Sequence, residues 1–232
     1  MSRIAFFSIP AHGHTNPTVE VVRTLAARGH RVRYYSFEEF RARLEGAGAE
    51  FVPCDSYLPP APRDVERRIG RDFASLIGMM VDVTAAMEEQ VLDELAAFRP
   101  HCIVADSLCI WGKLYAERLG IPLVCSTTTF AFDQETARGM RPRPRELLRT
   151  LAGVPRIGEK LALLRAHGYR AEKLTDLIQN DSSTDTIVYT SRAFQPGGER
   201  FGERVAFVGP VLPELPAPAE RGNRSLIYVS LG

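Results

Sequence analysis

The sequence has little net charge and few cysteines, and its N-terminal apolar segment is short. Its 232 residues include 29 basic and 28 acidic side chains, which gives a formal net charge of +1. Proteins that bind nucleic acid or anionic membranes concentrate positive charge, so this balance indicates neither partner. The apolar N-terminus is interrupted at Pro10, and it is therefore too short for a signal peptide or a membrane span.

The four cysteines form no CxxC pair, and three of them lie in or beside apolar runs, where thiols behave as small hydrophobic side chains. A chain without dense disulfides or a signal sequence is typical of a reducing compartment, which predicts a cytoplasmic protein. No closely spaced cluster of His, Asp and Glu is present in the sequence, so we expect no bound metal.

Strand-like and helix-like segments alternate along most of the chain. Apolar, β-favouring runs occupy residues 3–9, 30–37, 49–54, 101–107, 121–127, 186–191 and 205–210. Helical patterns occupy residues 15–28 and 37–48, a long stretch ending near residue 98, residues 108–120, and most of 135–183. This alternation predicts an α/β fold, a Rossmann-like doubly wound parallel sheet.

A segment rich in proline and charge marks a domain boundary near the end of the chain. VLPELPAPAERGNR reads as a linker, and SLIYVSLG after it reads as a new strand. We therefore expect an N-terminal domain over residues 1–212, a linker over 213–224, and the first strand of a second, missing domain over 225–232.

The stretch PAHGHTNP, residues 10–17, follows the first strand. Ligands of doubly wound sheets bind outside the carboxyl ends of the strands, so this segment lies at the functional edge. Gly13 permits close backbone approach of a ligand, and a histidine is suited to act as a general base near neutral pH. The stretch matches neither GxGxxG nor a P-loop. The alternative is that both histidines are solvated loop residues.

Asp106 closes the apolar strand of HCIVADS and is the natural partner for such a base. A carboxylate orients a catalytic imidazole and stabilises its protonated form. Asp106 could instead cap the helix that follows it. His14 and Asp106 together form a plausible dyad, which predicts that their side chains lie within hydrogen-bond reach. We expect no carboxylate beside His12.

Five segments together resemble one family. They are IAFFSIPAHGHTNPTVEVVRTLAARGHRV, IVADSLCIWGKLYAERLGIPLV, VYTSRAFQP, FVGP and LIYVSLG. The chain resembles, over nearly its whole length, the N-terminal acceptor domain of nucleotide-sugar-dependent glycosyltransferases of GT-B fold. The similar branch is the macrolide type of the UDP-glycosyltransferase superfamily.

The resemblance implies that His14 is the base, that Asp106 is its partner, and that His12 is a loop residue. It also implies an inverting hexosyltransferase that needs no cofactor and uses a nucleotide sugar, expected to be UDP-linked, as co-substrate. The acceptor would be a hydrophobic, hydroxyl-bearing small molecule such as a macrolide, polyketide or flavonoid. The WxPQ-type and HxGxxS-type elements of the donor-binding domain are absent from this sequence.

Further pocket residues follow from the same resemblance. Thr127 and Thr128, after the fifth strand, match a position where the family contacts the donor, although they could instead cap a helix. Phe73, Met79 and Met80 belong to an apolar stripe at helical spacing in the acceptor-lining region. With Phe130 they are candidate acceptor contacts, since methionine-rich surfaces accept varied ligands. The alternative for the stripe is core packing.

Two other functions remain open. A truncated relative could hold an apolar ligand, or pair with a separate donor domain, without catalysing transfer. The chain could also be an unrelated Rossmann-like enzyme that uses His14 as its base.

Overall fold

The computed structural model describes residues 1–58, 73–131, 144–173, 177 and 184–210. The predicted linker, 213–224, and the predicted strand, 225–232, lie outside these residues, so the domain boundary stays a prediction. No helix in the described ranges is long and apolar enough to cross a membrane.

Seven strands form one sheet in the order β3-β2-β1-β4-β5-β6-β7, and every neighbouring pair is parallel. The strands are β1 (Arg3–Phe7), β2 (Arg31–Ser36), β3 (Glu50–Pro53), β4 (Cys102–Asp106), β5 (Leu123–Thr127), β6 (Asp185–Val188) and β7 (Val205–Phe207). The predicted doubly wound parallel sheet is therefore confirmed. The chain changes its direction of travel across the sheet between β1 and β4, which is the switch point where such folds bind ligands.

The α-helices connect these strands, and short 3₁₀ turns accompany them. The helices are α1 (His12–Thr15), α2 (Val19–Ala27), α3 (Arg41–Gly46), α4 (Phe73–Phe98), α5 (Ile110–Leu119) and α6 (Pro144–Ala166). The 3₁₀ turns are Asn16–Thr18, Glu38–Phe40, Cys54–Tyr57 and Gly198–Arg200.

The single helix predicted over residues 15–28 is wrong in its first part. The chain already turns helically at His12, tightens into the 3₁₀ turn that contains Pro17, and then continues as α2. Proline has no N–H to donate, so it is tolerated at the start of a new turn and not inside a continuous helix. His12 is consequently the first residue of α1 rather than a loop residue.

Both faces of the sheet are buried, because alternate residues of each strand point to opposite sides. In β1, Ala5 and Phe7 pack into the larger core beneath α4, α5 and α6, while Ile4 and Phe6 pack into the core beneath α2 and α3. The central strands β1 and β4 are therefore apolar apart from one terminal residue each, Arg3 and Asp106.

Helix α5 packs closely on the central strands at Gly112. A Cβ atom at this position would lie 2.7 Å from the Cβ of Ala105 in β4 and 3.0 Å from the Cβ of Phe7 in β1. These distances are shorter than non-bonded carbon atoms allow, so only glycine permits this approach of helix to sheet.

Candidate active site

His14 and Asp106 are in hydrogen-bond contact at the carboxyl edge of the sheet. Asp106 is the last residue of β4, and His14 lies in α1, directly after β1, which pairs with β4. His14 Nδ1 is 2.8 Å from Asp106 Oδ2. The predicted proximity is confirmed, while the catalytic roles of the two residues stay predictions.

The two oxygens of Asp106 have different partners. Oδ1 accepts a hydrogen bond from the backbone N–H of Leu108 at 2.9 Å, and Oδ2 faces the imidazole. The side chain is 1% exposed. The alternative that Asp106 caps the following helix is wrong, because α5 begins at Ile110, its N-cap is Cys109, and no side chain caps it. The bond to Leu108 instead holds the turn between β4 and α5.

This contact selects one tautomer of His14. A carboxylate oxygen and an unprotonated ring nitrogen are both acceptors, so a 2.8 Å contact between them requires a proton. With Asp106 as the acceptor, the proton of the neutral imidazole resides on Nδ1, and Nε2 of this tautomer carries the lone pair. His14 is therefore oriented as a base whose free nitrogen is Nε2.

Buried hydroxyl groups hold the turn that carries His14. The Thr15 hydroxyl lies 3.4 Å from that of Ser8, the residue that directly follows β1. The Thr18 hydroxyl donates to the carbonyl of Thr15 at 2.8 Å, and it lies 2.8 Å from the hydroxyl of Tyr34 in β2. Thr15 and Thr18 are buried, so the turn is anchored to two strands and His14 has a defined orientation.

His12 points away from this pair. Its side chain is 68% exposed and its ring packs edge-on against Phe40, with ring centroids 5.1 Å apart. The expectation that no carboxylate lies beside it is wrong, because Nε2 is 4.0 Å from Oε2 of Glu39. Both partners are solvent-exposed, and exposed ion pairs of this kind contribute little.

The two candidate donor-binding threonines differ in their surroundings. Thr128 Oγ1 lies 3.0 Å from His14 Nδ1, in the segment that directly follows β5. Thr127 is buried at the end of β5, and its hydroxyl lies 3.6 Å from the sulfur of Cys125. Of the two, only Thr128 has a contact with the imidazole among those that the structure describes.

The candidate acceptor contacts are more scattered. Phe130 is 44% exposed and its ring centroid lies 5.7 Å from that of Phe194. Met79 is half-buried, whereas Met80 packs in the larger core, as the core-packing alternative predicted for the stripe. Phe73 begins α4, but its side chain lies outside the described part of the structure.

Gly13 lies in α1 beside His14, where a Cβ atom would meet nothing within 4 Å. The backbone at this turn is therefore accessible to a ligand. Among the described residues, no group of three or more His, Cys, Asp and Glu side chains could hold a metal ion.

Comparison with known proteins shows which proteins this chain resembles. The chain is 32% identical over 241 residues to an NDP-glycosyltransferase of Bacillus licheniformis, covering 99% of this chain. It is 31% identical over 246 residues to the demethyllactenocin mycarosyltransferase of Streptomyces fradiae, covering the whole chain. The solved glycosyltransferase of kitacinnamycin superimposes with a TM-score of 0.75 at 26% identity over 97% of this chain. The chain is a homologue of glycosyltransferases with the GT-B fold.

This glycosyltransferase homologue spans about half the length of the proteins it matches. It covers 58% of the Bacillus licheniformis enzyme, 53% of the Streptomyces fradiae enzyme and 55% of the kitacinnamycin enzyme. The calicheamicin glycosyltransferase is similar, with a TM-score of 0.68 at 27% identity over 91% of this chain and 52% of its own. No protein-family model matches the chain.

Two buried polar residues near the candidate site were not predicted from the sequence. Tyr189, which follows β6, is buried with its hydroxyl 3.2 Å from that of Ser126 in β5. Burial raises the pKa of Tyr189, and the negative charge of Asp106 raises it further, so the phenol stays neutral. Gln195 is buried and bonds to the backbone of Ala131. Both lie in VYTSRAFQP, one of the segments that carry the family resemblance.

Proposed function

We propose that this chain is the acceptor-binding half of an inverting glycosyltransferase, and that it carries the catalytic base. The supporting observation is the His14–Asp106 contact at the switch point of the sheet, which directs Nδ1 of His14 to the carboxylate and leaves Nε2 free to face a substrate. The reaction moves a sugar, expected to be a hexose, from a nucleotide sugar to a hydroxyl group of a small molecule.

In the proposed step, Nε2 of His14 takes the proton of the acceptor hydroxyl as its oxygen attacks the anomeric carbon. The bond from that carbon to the diphosphate oxygen breaks, its electron pair leaves with the nucleoside diphosphate, and the configuration inverts. His14 then carries a positive charge, which Asp106 stabilises at 2.8 Å. The side chain of Asp106 is buried, which strengthens this interaction relative to one in water.

Thr128 is proposed to contact the donor. The proton on His14 Nδ1 points toward Asp106 Oδ2 and Thr128 Oγ1 together, at 2.8 Å and 3.0 Å. The hydroxyl proton of Thr128 must then point away from the ring, where it can be donated to an oxygen of the diphosphate or the sugar. The accessible backbone at Gly13 is proposed to lie along the same donor.

The acceptor is proposed to be hydrophobic, in the class of macrolides, polyketides and flavonoids. The exposed ring of Phe130 and the half-buried side chain of Met79 are the apolar surfaces that support this. The relative from Streptomyces fradiae is named as a mycarosyltransferase of demethyllactenocin. We further propose that the nucleotide, expected to be UDP, is held mainly by a donor-binding domain.

The test is an assay of two proteins, this chain alone and this chain fused to the part of the Bacillus licheniformis enzyme that it does not match. Each is incubated with UDP- and TDP-sugars and a panel of macrolide and polyphenol acceptors. We expect the fusion to form a glycoside of inverted anomeric configuration, detected by mass spectrometry and NMR. Acceptor binding by the fusion without any transfer would overturn the proposal and favour a non-catalytic binding module.

A further inference from the structure

The side-chain amide of Gln195 forms two hydrogen bonds with the backbone of Ala131. Its Oε1 accepts the Ala131 N–H at 2.9 Å, and its Nε2 donates to the Ala131 carbonyl at 3.1 Å. Gln195 is 3% exposed, so water does not compete freely for these bonds. The side chain acts on the backbone of Ala131 as a neighbouring β-strand would.

A second bond holds the other end of the same segment. The carbonyl of Thr127, the last residue of β5, accepts the N–H of Tyr189 at 3.2 Å. Only three residues, 128–130, connect these two fixed points, and Thr128 is the first of them. The position of the Thr128 hydroxyl against His14 therefore depends on both attachments.

Gln195 is itself part of a tightly bonded loop after β6. Its N–H donates to the Ser191 carbonyl at 3.1 Å, and its carbonyl accepts the Gly198 N–H at 3.0 Å. The Arg192 guanidinium donates to the carbonyls of Gly198 at 2.8 Å and Phe201 at 2.7 Å. The loop is thus a rigid support from which Gln195 reaches the neighbouring segment.

We propose that Gln195 is a positioning residue that acts through Ala131 to hold the Thr128 hydroxyl against Nδ1 of His14. The expected effect of Gln195 on sugar transfer rests on the proposed function. Its effect on the surroundings of the His14 ring does not depend on that function. The alternative, that Gln195 only stabilises the fold, leaves the surroundings of the imidazole unchanged when the amide is removed.

The decisive measurement is the NMR signal of the His14 Nδ1–H in the ¹⁵N-labelled 232-residue chain, assigned by its loss in His14→Gln. Thr128→Val removes the hydroxyl contact directly, and Gln195→Met keeps the length of the side chain without its amide. We expect both to move the signal in the same direction, and the double variant to move it no further than either one. Additive shifts, or an unmoved signal in Gln195→Met, would overturn the coupling.

Arg192→Met is the matched control, because it weakens the same loop without touching Ala131. It should leave the His14 signal in place, and a shift equal to that of Gln195→Met would assign the effect to loop stability and overturn the proposal. Hydrogen exchange at the Ala131 amide of the unsubstituted chain needs no variant. That amide should be protected from exchange, and rapid exchange would show that its hydrogen bond to Gln195 does not form in solution.

The activity arm uses the fusion protein described above. Gln195→Met should lower kcat by up to about 100-fold, as misplacement of catalytic groups does, with the KM of the acceptor little changed. A raised acceptor KM at unchanged kcat would contradict positioning. If the unsubstituted fusion transfers no sugar, the proposed function fails, and the NMR experiment still decides the role of Gln195.

Discussion

His14 Nδ1 and Asp106 Oδ2 are 2.8 Å apart although 92 positions separate the two residues in the chain. They meet because β1 and β4 are parallel neighbours, so their carboxyl ends reach the same edge of the sheet. The pair is thus placed by the most buried strands of the molecule. This rigidity makes the effects of local substitutions at the site interpretable.

His14→Ala should lower kcat in the fusion protein by about 100- to 10,000-fold, the usual effect of removing a general base. Acceptor affinity should change little, because the base acts in the transition state. His12→Ala is the matched control, since its ring is exposed and directed toward Glu39. Steady-state kinetics of both variants check this, and a dead His12→Ala beside an active His14→Ala would reverse the assignment.

Asp106→Asn should impair transfer even though the new side chain has the same shape. An amide nitrogen facing His14 would donate to Nδ1, which moves the ring proton to Nε2 and removes the free lone pair. We expect a loss of transfer of about 100-fold or more. Nitrogen chemical shifts of the His14 ring should report the changed tautomer. An unchanged tautomer with normal kcat would contradict the derived orientation.

Thr128→Val and Thr127→Val form a matched pair one residue apart. Removing the Thr128 hydroxyl should raise the KM of the nucleotide sugar by roughly tenfold or more, because the variant loses the binding free energy of one hydrogen bond to a charged group. Thr127→Val should leave this KM unchanged, because the hydroxyl of Thr127 is buried against Cys125. Equal effects of the two substitutions would refute the separation of their roles.

The free energy of unfolding should fall as the pH rises above about 10. Burial raises the pKa values of Tyr34 and Tyr189 in the folded chain, so these phenols stay protonated while those of the unfolded chain ionise from about pH 10. Each such phenol makes its full contribution to the free energy of unfolding below pH 10. Above pH 10 that contribution falls by up to about 1.4 kcal/mol per pH unit for each group.

Urea unfolding between pH 8 and pH 11 measures this dependence. Tyr34→Phe removes one ionisable group, so its stability should fall less steeply with pH than that of the unsubstituted chain. A stability that stays constant up to pH 11 would show that the buried phenols are not linked to unfolding.

Met80→Ala should destabilise the chain by about 2–5 kcal/mol, because it leaves a cavity in the larger core. Met79→Ala, one position earlier in α4, should cost less stability, since that side chain is only half-buried. If Met79 contacts the acceptor, its replacement should weaken acceptor binding by the fusion protein. Urea unfolding and calorimetry of the two variants separate packing from binding.

Much of the fold could be predicted from the sequence because it depends on local patterns. The strand that ends at Asp106 is an unbroken apolar run closed by one carboxylate, and the end of α2 is marked by Gly29, whose φ is +81°. Such patterns are read within a few residues. The start of α1 was missed because a segment containing Pro17 resembles a loop until tertiary contacts of Thr15 and Thr18 are known.

The support around the site could not be predicted because its partners are far apart in sequence. Gln195 and Ala131 are 64 positions apart, and neither residue type indicates the other. A buried glutamine that bonds to backbone groups produces no periodic pattern. The exposed carboxylate beside His12 was missed for the same reason, since the turn that contains Glu39 follows a different strand.

The close approach of α5 to the sheet at Gly112 also constrains how this site can change during evolution. Ala105 precedes Asp106 directly and Phe7 ends β1, so a side chain larger than hydrogen at position 112 would press on both strands that bring Asp106 and His14 together and would move α5 away from them. A larger residue there requires the loss of the Cβ atoms that it would meet, at positions 105 and 7. These three positions, none of which touches a substrate in the proposed reaction, should therefore vary together among relatives that keep the dyad.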